Sequence, residues 1–326
     1  MATIDILGVP HAYDLTAPTT SVSSGIAKST TQETPTEHTL VFIHGWLLSR
    51  RYWQPLIERL APDYQCLCYD LRGFGDSQPT RKWGVKGSAR RRREPDAAHW
   101  RPGKLDNAAG AEPVGSCYTP AAYVADLVVL LKQLGISSAW LIGHSLGGSI
   151  ALWGASIYPE CVRGVVCVNS GGGIYLKEEF ERFRTAGEQI VKWRPRWISQ
   201  LPLIDLLFAR AQVARPIARY WGRQRLIDFA VAHPEAALGT LLDSTTEDEV
   251  HRLPELVSRL EQPVYFIVGA EDPVMNPKYV RHLASFHPMF HQDSEMVMEI
   301  PDCGHLSMLE HPDLVESEIR RILANY

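Results

Sequence analysis

The sequence predicts an α/β protein, a mostly parallel sheet with helices on both faces and a helical segment inserted between two late strands. Three observations lead there. Short runs that are apolar throughout recur along the chain, at residues 38–44, 64–71, 139–142, 162–168, 263–268 and 295–300. Stretches with apolar residues at helical spacing lie between them. Strands apolar on both sides need cover on both faces, which a parallel sheet wrapped by helices provides. The third observation is size. With 326 residues, 45% of them hydrophobic and 21% charged, the chain can bury a large core without disulfide or metal staples.

Taken in order, residues 18–38 are rich in Ser, Thr and Pro and read as a loop or a weakly ordered hairpin. A β-branched run follows and ends in His44-Gly45. Residues 53–60 have helical spacing. The next strand ends in Asp70-Leu-Arg-Gly-Phe-Gly75. Thr119-Pro120 opens a helix, since Thr is a good N-cap and Pro suits the first turn. Its stripe is Tyr123, Leu127, Leu130, Leu131 and Leu134, and Gly135 stops it. The strand at 139–142 leads through Gly143-His-Ser-Leu-Gly147 into another helix, and a final helix is expected at about 312–324.

Two segments break the alternation. Between Arg81 and Glu112 there are nine Lys/Arg against four Asp/Glu, centred on Arg90-Arg-Arg-Arg93, so residues 80–117 read as a flexible basic surface insertion. Residues 173–245 are helical by pattern, rich in Trp, Phe, Leu and Arg, and read as a cap over one end of the sheet. The expected division is therefore a core of residues 1–172 and 246–326 with a helical cap at 173–245.

Composition excludes several classes. A net charge of -4 and a pI of about 6.3 give no basic footprint for nucleic acid. No run of 18 apolar residues exists, so no integral membrane segment is expected. The N-terminus lacks a basic stretch followed by a long apolar one, as a secretory signal would have. Six cysteines without a CxxC pair read as reduced, mostly buried thiols of a cytoplasmic protein.

The chemistry centres on Ser145. Gly143-His144-Ser145-Leu146-Gly147 matches G-x-S-x-G, in which a strand turns sharply into a helix and presents a serine in a strained conformation. A lone hydroxyl is a weak nucleophile and needs a base, and the base needs an orienting acid. Asp272, after the strand ending Val268-Gly269, and His305, after the strand ending Ile300-Pro301, are the candidates. Both lie just past the C-terminal ends of buried strands, where open α/β sheets bind ligands. Asp302 and Asp126 are less suited as the acid, and the strand ending at Val168 is followed by Asn169 rather than Asp. Oxyanion donors are expected from the backbone N–H of Leu146 and of Trp46, where Gly45 lets the loop turn back.

These residues carry a resemblance. Val41-Phe-Ile-His-Gly-Trp46, Tyr69-Asp-Leu-Arg-Gly-Phe-Gly-Asp-Ser77, Gly143-His-Ser-Leu-Gly-Gly148, Gly269-Ala-Glu-Asp-Pro273 and Gly304-His-Leu306 together resemble the α/β-hydrolase superfamily, over about residues 38–80 and 118–326. The chain looks like its capped serine-hydrolase branch, with esterases, epoxide hydrolases and haloperoxidase-like enzymes. The resemblance implies a triad of Ser145, Asp272 and His305, an oxyanion hole at Trp46 and Leu146, and no metal or organic cofactor. Epoxide hydrolases and dehalogenases of that family carry Asp at the elbow, so the serine points to an acyl-serine route.

The expected activity is cleavage of an ester or related acyl bond in a small, apolar substrate. His44, Gly45, His144, Trp193, Trp197 and Trp221 are the candidate pocket residues. Trp193, Trp197, Leu203, Leu206, Leu207, Phe208, Tyr220 and Trp221 form an apolar set expected to pack the cap onto the sheet. Eleven Lys/Arg against six Asp/Glu between Lys177 and Asp228 leave room for peripheral contact with an anionic surface. The rivals are carbon-carbon bond hydrolysis or haloperoxidase-like chemistry on the same triad, and a ligand-binding protein or receptor on the same scaffold.

Overall fold

The computed structural model describes residues 1–18, 38–79, 118–171, 177–291 and 295–326. The expectations for residues 19–37 and for the basic insertion lie outside the described residues.

Eight strands form one sheet in the order β1-β2-β4-β3-β5-β6-β7-β8. They are β1 (Ala2–Ile6), β2 (Val9–Thr16), β3 (Thr39–Ile43), β4 (Cys66–Tyr69), β5 (Ala139–His144), β6 (Val162–Val168), β7 (Val264–Gly269) and β8 (Val297–Ile300). From β4 through β8 every pairing is parallel, and β1 and β2 add an antiparallel edge. That edge hairpin was not expected from the sequence. Its strands are short and half polar, and only Gly8, with φ 83°, marks the turn.

The central strands are short because both faces are covered. β3, β4, β5 and β7 are buried at every residue. One face packs against α2 (Pro120–Gln133) and α3 (Leu146–Ile157), the other against α1 (Gln54–Leu60) and α11 (Pro312–Leu323). Thr119 caps α2 as expected, its hydroxyl accepting from the Ala122 N–H at 3.2 Å, and Gly135 leaves the helix at φ 69°.

Between β6 and β7 the chain makes α4 (Lys177–Lys192), a 3₁₀ turn (Arg196–Gln200), α5 (Ile204–Phe208), α6 (Arg219–Val231), α7 (Pro234–Ser244) and α8 (Glu247–Ser258). Two short helices, α9 (Pro277–Ala284) and α10 (Ser307–Glu310), follow β7 and β8. Register places the C-terminal ends of the parallel strands in one row: Ile43 faces Gly143, His144 faces Val168, Val168 faces Ile267, and Gly269 faces Ile300. Every candidate catalytic residue follows one of these ends.

The loop after β4 is knit into the sheet. The fully buried Asp70 carboxylate accepts from the backbone N–H of Arg50 at 2.7 Å and of Asp76 at 2.8 Å, and pairs with the Arg50 guanidinium. The Ser77 hydroxyl donates to the Asp70 carbonyl and accepts from the Ala12 N–H. The motif read at residues 69–77 thus fixes the 44–50 loop next to the row of strand ends.

Candidate active site

Ser145 sits between β5 and α3 with φ 52° and ψ -119°, a backbone conformation that L residues rarely adopt. The surrounding packing leaves it little choice. A Cβ on Gly147 would stand 2.1 Å from the Ile43 carbonyl oxygen, so α3 can approach β3 this closely only with glycine there. The Ser170 hydroxyl donates to the Ser145 carbonyl at 2.6 Å, which ties the elbow to the end of β6.

Asp272 and His305 come together from the ends of β7 and β8. The His305 Nδ1–H donates to Asp272 Oδ2 at 2.8 Å, and both side chains are buried. The other oxygen, Oδ1, accepts from the backbone N–H of Val274 at 2.8 Å and of Met275 at 2.9 Å. Burial pushes the Asp272 carboxyl up, but the His305 charge and these hydrogen bonds outweigh it and hold the group below the usual carboxylate range. Asp272 is thereby kept ionised, and Nδ1 keeps its proton, which directs Nε2 away from the acid. Asp302 points elsewhere, to an exposed pair with Arg215 at 2.6 Å.

The residues nearest the elbow brace it. His144 and His44 are fully buried. His144 Nε2–H donates to the His305 carbonyl at 2.8 Å, and the two rings lie 4.8 Å apart. Burial lowers the His144 imidazole to about 3, so it stays neutral. His44 Nε2 accepts from the Leu71 N–H at 2.9 Å while Nδ1–H donates to the Gly45 carbonyl at 2.8 Å. Gly45 runs directly over the elbow: a Cβ there would come within 2.7 Å of His144 Nδ1 and 3.1 Å of Ser145 Cβ. The next N–H, that of Trp46, makes no hydrogen bond among the described residues. Leu146 opens α3, where first-turn N–H groups lack partners within the helix.

Three of the expected pocket residues need correction. Trp193, in the turn after α4, and Trp197, in the 3₁₀ turn, are 83% and 58% exposed. Leu203, Leu207 and Tyr220 are exposed as well, so the apolar set does not pack these helices onto the sheet as a whole. Trp221 is partly buried and sits between Tyr52 and Tyr220, with ring centroids 5.7 and 5.0 Å away. It works as a seam between α6 and the turn before α1. The physical reason is that short helices with apolar residues around their circumference cannot bury all of them at once.

Sequence reasoning passed over two residues. Asn169, at φ 47° just past β6, donates through Nδ2 to Asp272 Oδ2 and to the Gly304 carbonyl, both at 2.9 Å. Its Oδ1 accepts from the N–H and hydroxyl of Ser307. An amide thus cross-links the acid to the histidine loop. Glu310 ties the same loop to the segment before α6: Oε2 accepts from Gly304 N–H at 3.0 Å and Ala214 N–H at 2.8 Å, and Oε1 from Leu306 N–H at 3.1 Å. The signal for Asn169 was its place in the row of strand ends. For Glu310 there was none beyond its nearness to His305.

Comparison with known proteins fits this geometry. A family model described as the alpha/beta hydrolase fold matches residues 38–312. The chain belongs to that family. It is 26% identical over 287 residues to 2-succinyl-6-hydroxy-2,4-cyclohexadiene-1-carboxylate synthase of Enterobacter sp. (strain 638), covering 87% of this chain and 91% of that protein. Among solved structures it resembles a thermophilic esterase from Thermogutta terrifontis, with TM-score 0.66, 22% identity and coverage of 100% and 99% of the two chains. It also resembles a bromoperoxidase from Bacillus anthracis, with TM-score 0.69, 18% identity and 99% of each chain covered. At these identities the structural likenesses speak to the fold.

Proposed function

We propose that the chain is a serine hydrolase that cleaves an ester or related acyl bond of a small, largely apolar substrate. The carrying observation is the His305–Asp272 pair at 2.8 Å, with the His305 ring 4.8 Å from that of His144, the residue before a serine held at φ 52°. Ser145 Oγ attacks the acyl carbon as His305 Nε2 takes its proton, and Asp272 stabilises the resulting imidazolium through Nδ1–H. The N–H groups of Trp46 and Leu146 receive the oxyanion. Collapse expels the alcohol, which leaves with the proton from Nε2. Water, deprotonated by the same nitrogen, then attacks the acyl-serine carbon and releases the acid and Ser145. Residues 173–245 serve as a cap over this site, inserted into a core of residues 1–172 and 246–326. Five described cysteines, all free and buried, support work in a reducing compartment, the cytoplasm. Among the described residues no helix is long and apolar enough to cross a membrane.

A fluorophosphonate probe and a panel of acyl p-nitrophenyl esters test the reading. The wild type should label at Ser145, and Ser145→Ala should lose both label and turnover, the latter by a factor on the order of 10⁴ or more. Retention of over roughly a tenth of the activity would remove Ser145 from the mechanism. An intact protein that neither labels nor turns over any ester would point instead to a binding scaffold.

A further inference from the structure

Fourteen large apolar residues are exposed among the described residues, and nine of them lie between Ile190 and Val231. Monomeric proteins seldom concentrate exposed apolar groups this way without a partner. Those on the first half of this stretch are Ile190, Trp193, Trp197, Leu201, Leu203 and Leu207, the last two at 60% and 67% exposed. On α6, Tyr220, Arg223, Ile227 and Val231 are all exposed and follow one another at spacings of three, four and four, which puts them on one face.

The carriers hold together as a unit. Arg194 donates to the Phe229 carbonyl at 2.8 Å and also to that of Ala232, which ties the Trp193 segment to the C-terminal end of α6. Phe208 meets Phe229 with ring centroids 5.6 Å apart, and Arg219 pairs with Asp205 at 2.6 Å, which ties α5 to α6. The loop after α5 sits on the histidine loop: the His305 N–H donates to the Gln212 carbonyl at 2.7 Å. The exposed surface therefore belongs to the helices next to the candidate active site.

Charge decides the occupant. From residue 192 to 225 the only acidic residue is Asp205; of the eight Lys/Arg there, Lys192, Arg215 and Arg219 pair with Glu188, Asp302 and Asp205, and Arg225 is buried. Arg210 and Arg223 are exposed and enter no ion pair among the described residues. A second copy docking face to face would set like charges against each other. Exposed Trp, Tyr and Leu interleaved with Arg on short helices match the interface of an anionic bilayer, where aromatic rings sit at headgroup level and cations meet the lipid phosphates. We propose that this face, centred on Trp193, Trp197, Leu203, Leu207, Arg210 and Arg223, docks the protein peripherally on an anionic lipid membrane.

Co-sedimentation of the full chain with vesicles tests it without any reliance on turnover. Two preparations suffice, phosphatidylcholine alone and phosphatidylcholine mixed with phosphatidylglycerol. The wild type should pellet with the mixed vesicles, with blue-shifted Trp fluorescence, and stay in solution with phosphatidylcholine alone. Arg210→Gln/Arg223→Gln should weaken partitioning roughly fivefold per cation, about 25-fold for the pair. Trp193→Ser/Trp197→Ser should weaken it roughly tenfold or more. All four side chains are exposed, so both variants should keep the wild-type circular dichroism spectrum and melting temperature. No binding of the wild type to mixed vesicles, equal binding to both vesicle types, or binding indifferent to the Trp pair would each overturn the proposal. So would a wild type that is dimeric in sedimentation, and unable to bind vesicles, while the Trp variant is monomeric, since a second copy would then be the occupant.

Discussion

Asp228 offers a quantitative test of how α6 is seated on the core. Its carboxylate is buried, accepting from the Ser49 hydroxyl at 2.9 Å and from the Gln224 amide at 3.0 Å. Burial pushes the carboxyl up from 3.8 to about 7, against the lowering effect of its bonds to Gln224 and Ser49. The folded state thus holds this proton more tightly than the unfolded chain. Stability from the group is full below the unfolded pKa, falls as pH rises through the interval up to about 7, and is level above it. The shift of about three units corresponds to roughly 4 kcal/mol at most, at about 1.4 kcal/mol per unit. Asp228→Asn keeps the shape and removes the titration. The amide can still accept from Ser49, and a turned Gln224 can face its NH₂ group. Urea unfolding of both proteins from about pH 5 to about pH 8 is the assay. The variant should gain on the wild type by about 1.4 kcal/mol per pH unit until near neutrality, and the difference should then flatten. A difference that is constant with pH, or that grows toward acid, would refute the burial argument.

Three other outcomes follow from the site. Asn169→Asp sets a second carboxylate beside Asp272, so the acid limb of the pH–rate profile should move to higher pH; an unmoved limb would mean that Asn169 does not act on the acid. Gly147→Ala drives a methyl into the Ile43 carbonyl and should lower urea stability by about 3 kcal/mol or more, whereas a neutral result would contradict the close approach of α3 to β3. Glu310→Gln replaces an acceptor of three N–H groups with a side chain that presents an NH₂ to some of them. Hydrogen exchange should then accelerate at Ala214, Gly304 and Leu306 together, with ester turnover falling by roughly tenfold; protection unchanged at Ala214 would sever the link.

Much of the sheet could be read from the chain because strands buried on both faces leave no ambiguity of pattern, as in the Leu-Val-Phe-Ile run of β3. The elbow was legible for a related reason. Ser145 is forced into its conformation by neighbours that must be glycine, and glycine is visible in a sequence. The His305–Asp272 pairing was inferable from position alone, since each follows the end of a parallel strand in the expected order. The edge hairpin β1-β2 escaped because one-sided strands with polar residues resemble loops. Trp193 and Trp197 were misplaced because an aromatic residue in a turn reads the same whether it faces inward or outward. Asn169 reaches Gly304 across 135 residues and Glu310 reaches Ala214 across 96, separations that leave no local trace.

The bond from the His305 N–H to the Gln212 carbonyl has a consequence for exchange of parts. Gln212 has φ 62°, and Val213 and Ala214 pack so tightly on Gly304 that a Cβ there would stand 2.6 Å from the Val213 Cα. The helices between β6 and β7 are therefore not a detachable module laid over a finished core. They supply one wall of the loop that carries the histidine. A chimaera that imports this stretch from a relative to alter substrate range must reproduce a left-handed residue, a carbonyl and an N–H at positions 212 to 214. A graft that lacks them would lose the bond to the His305 N–H and displace that loop.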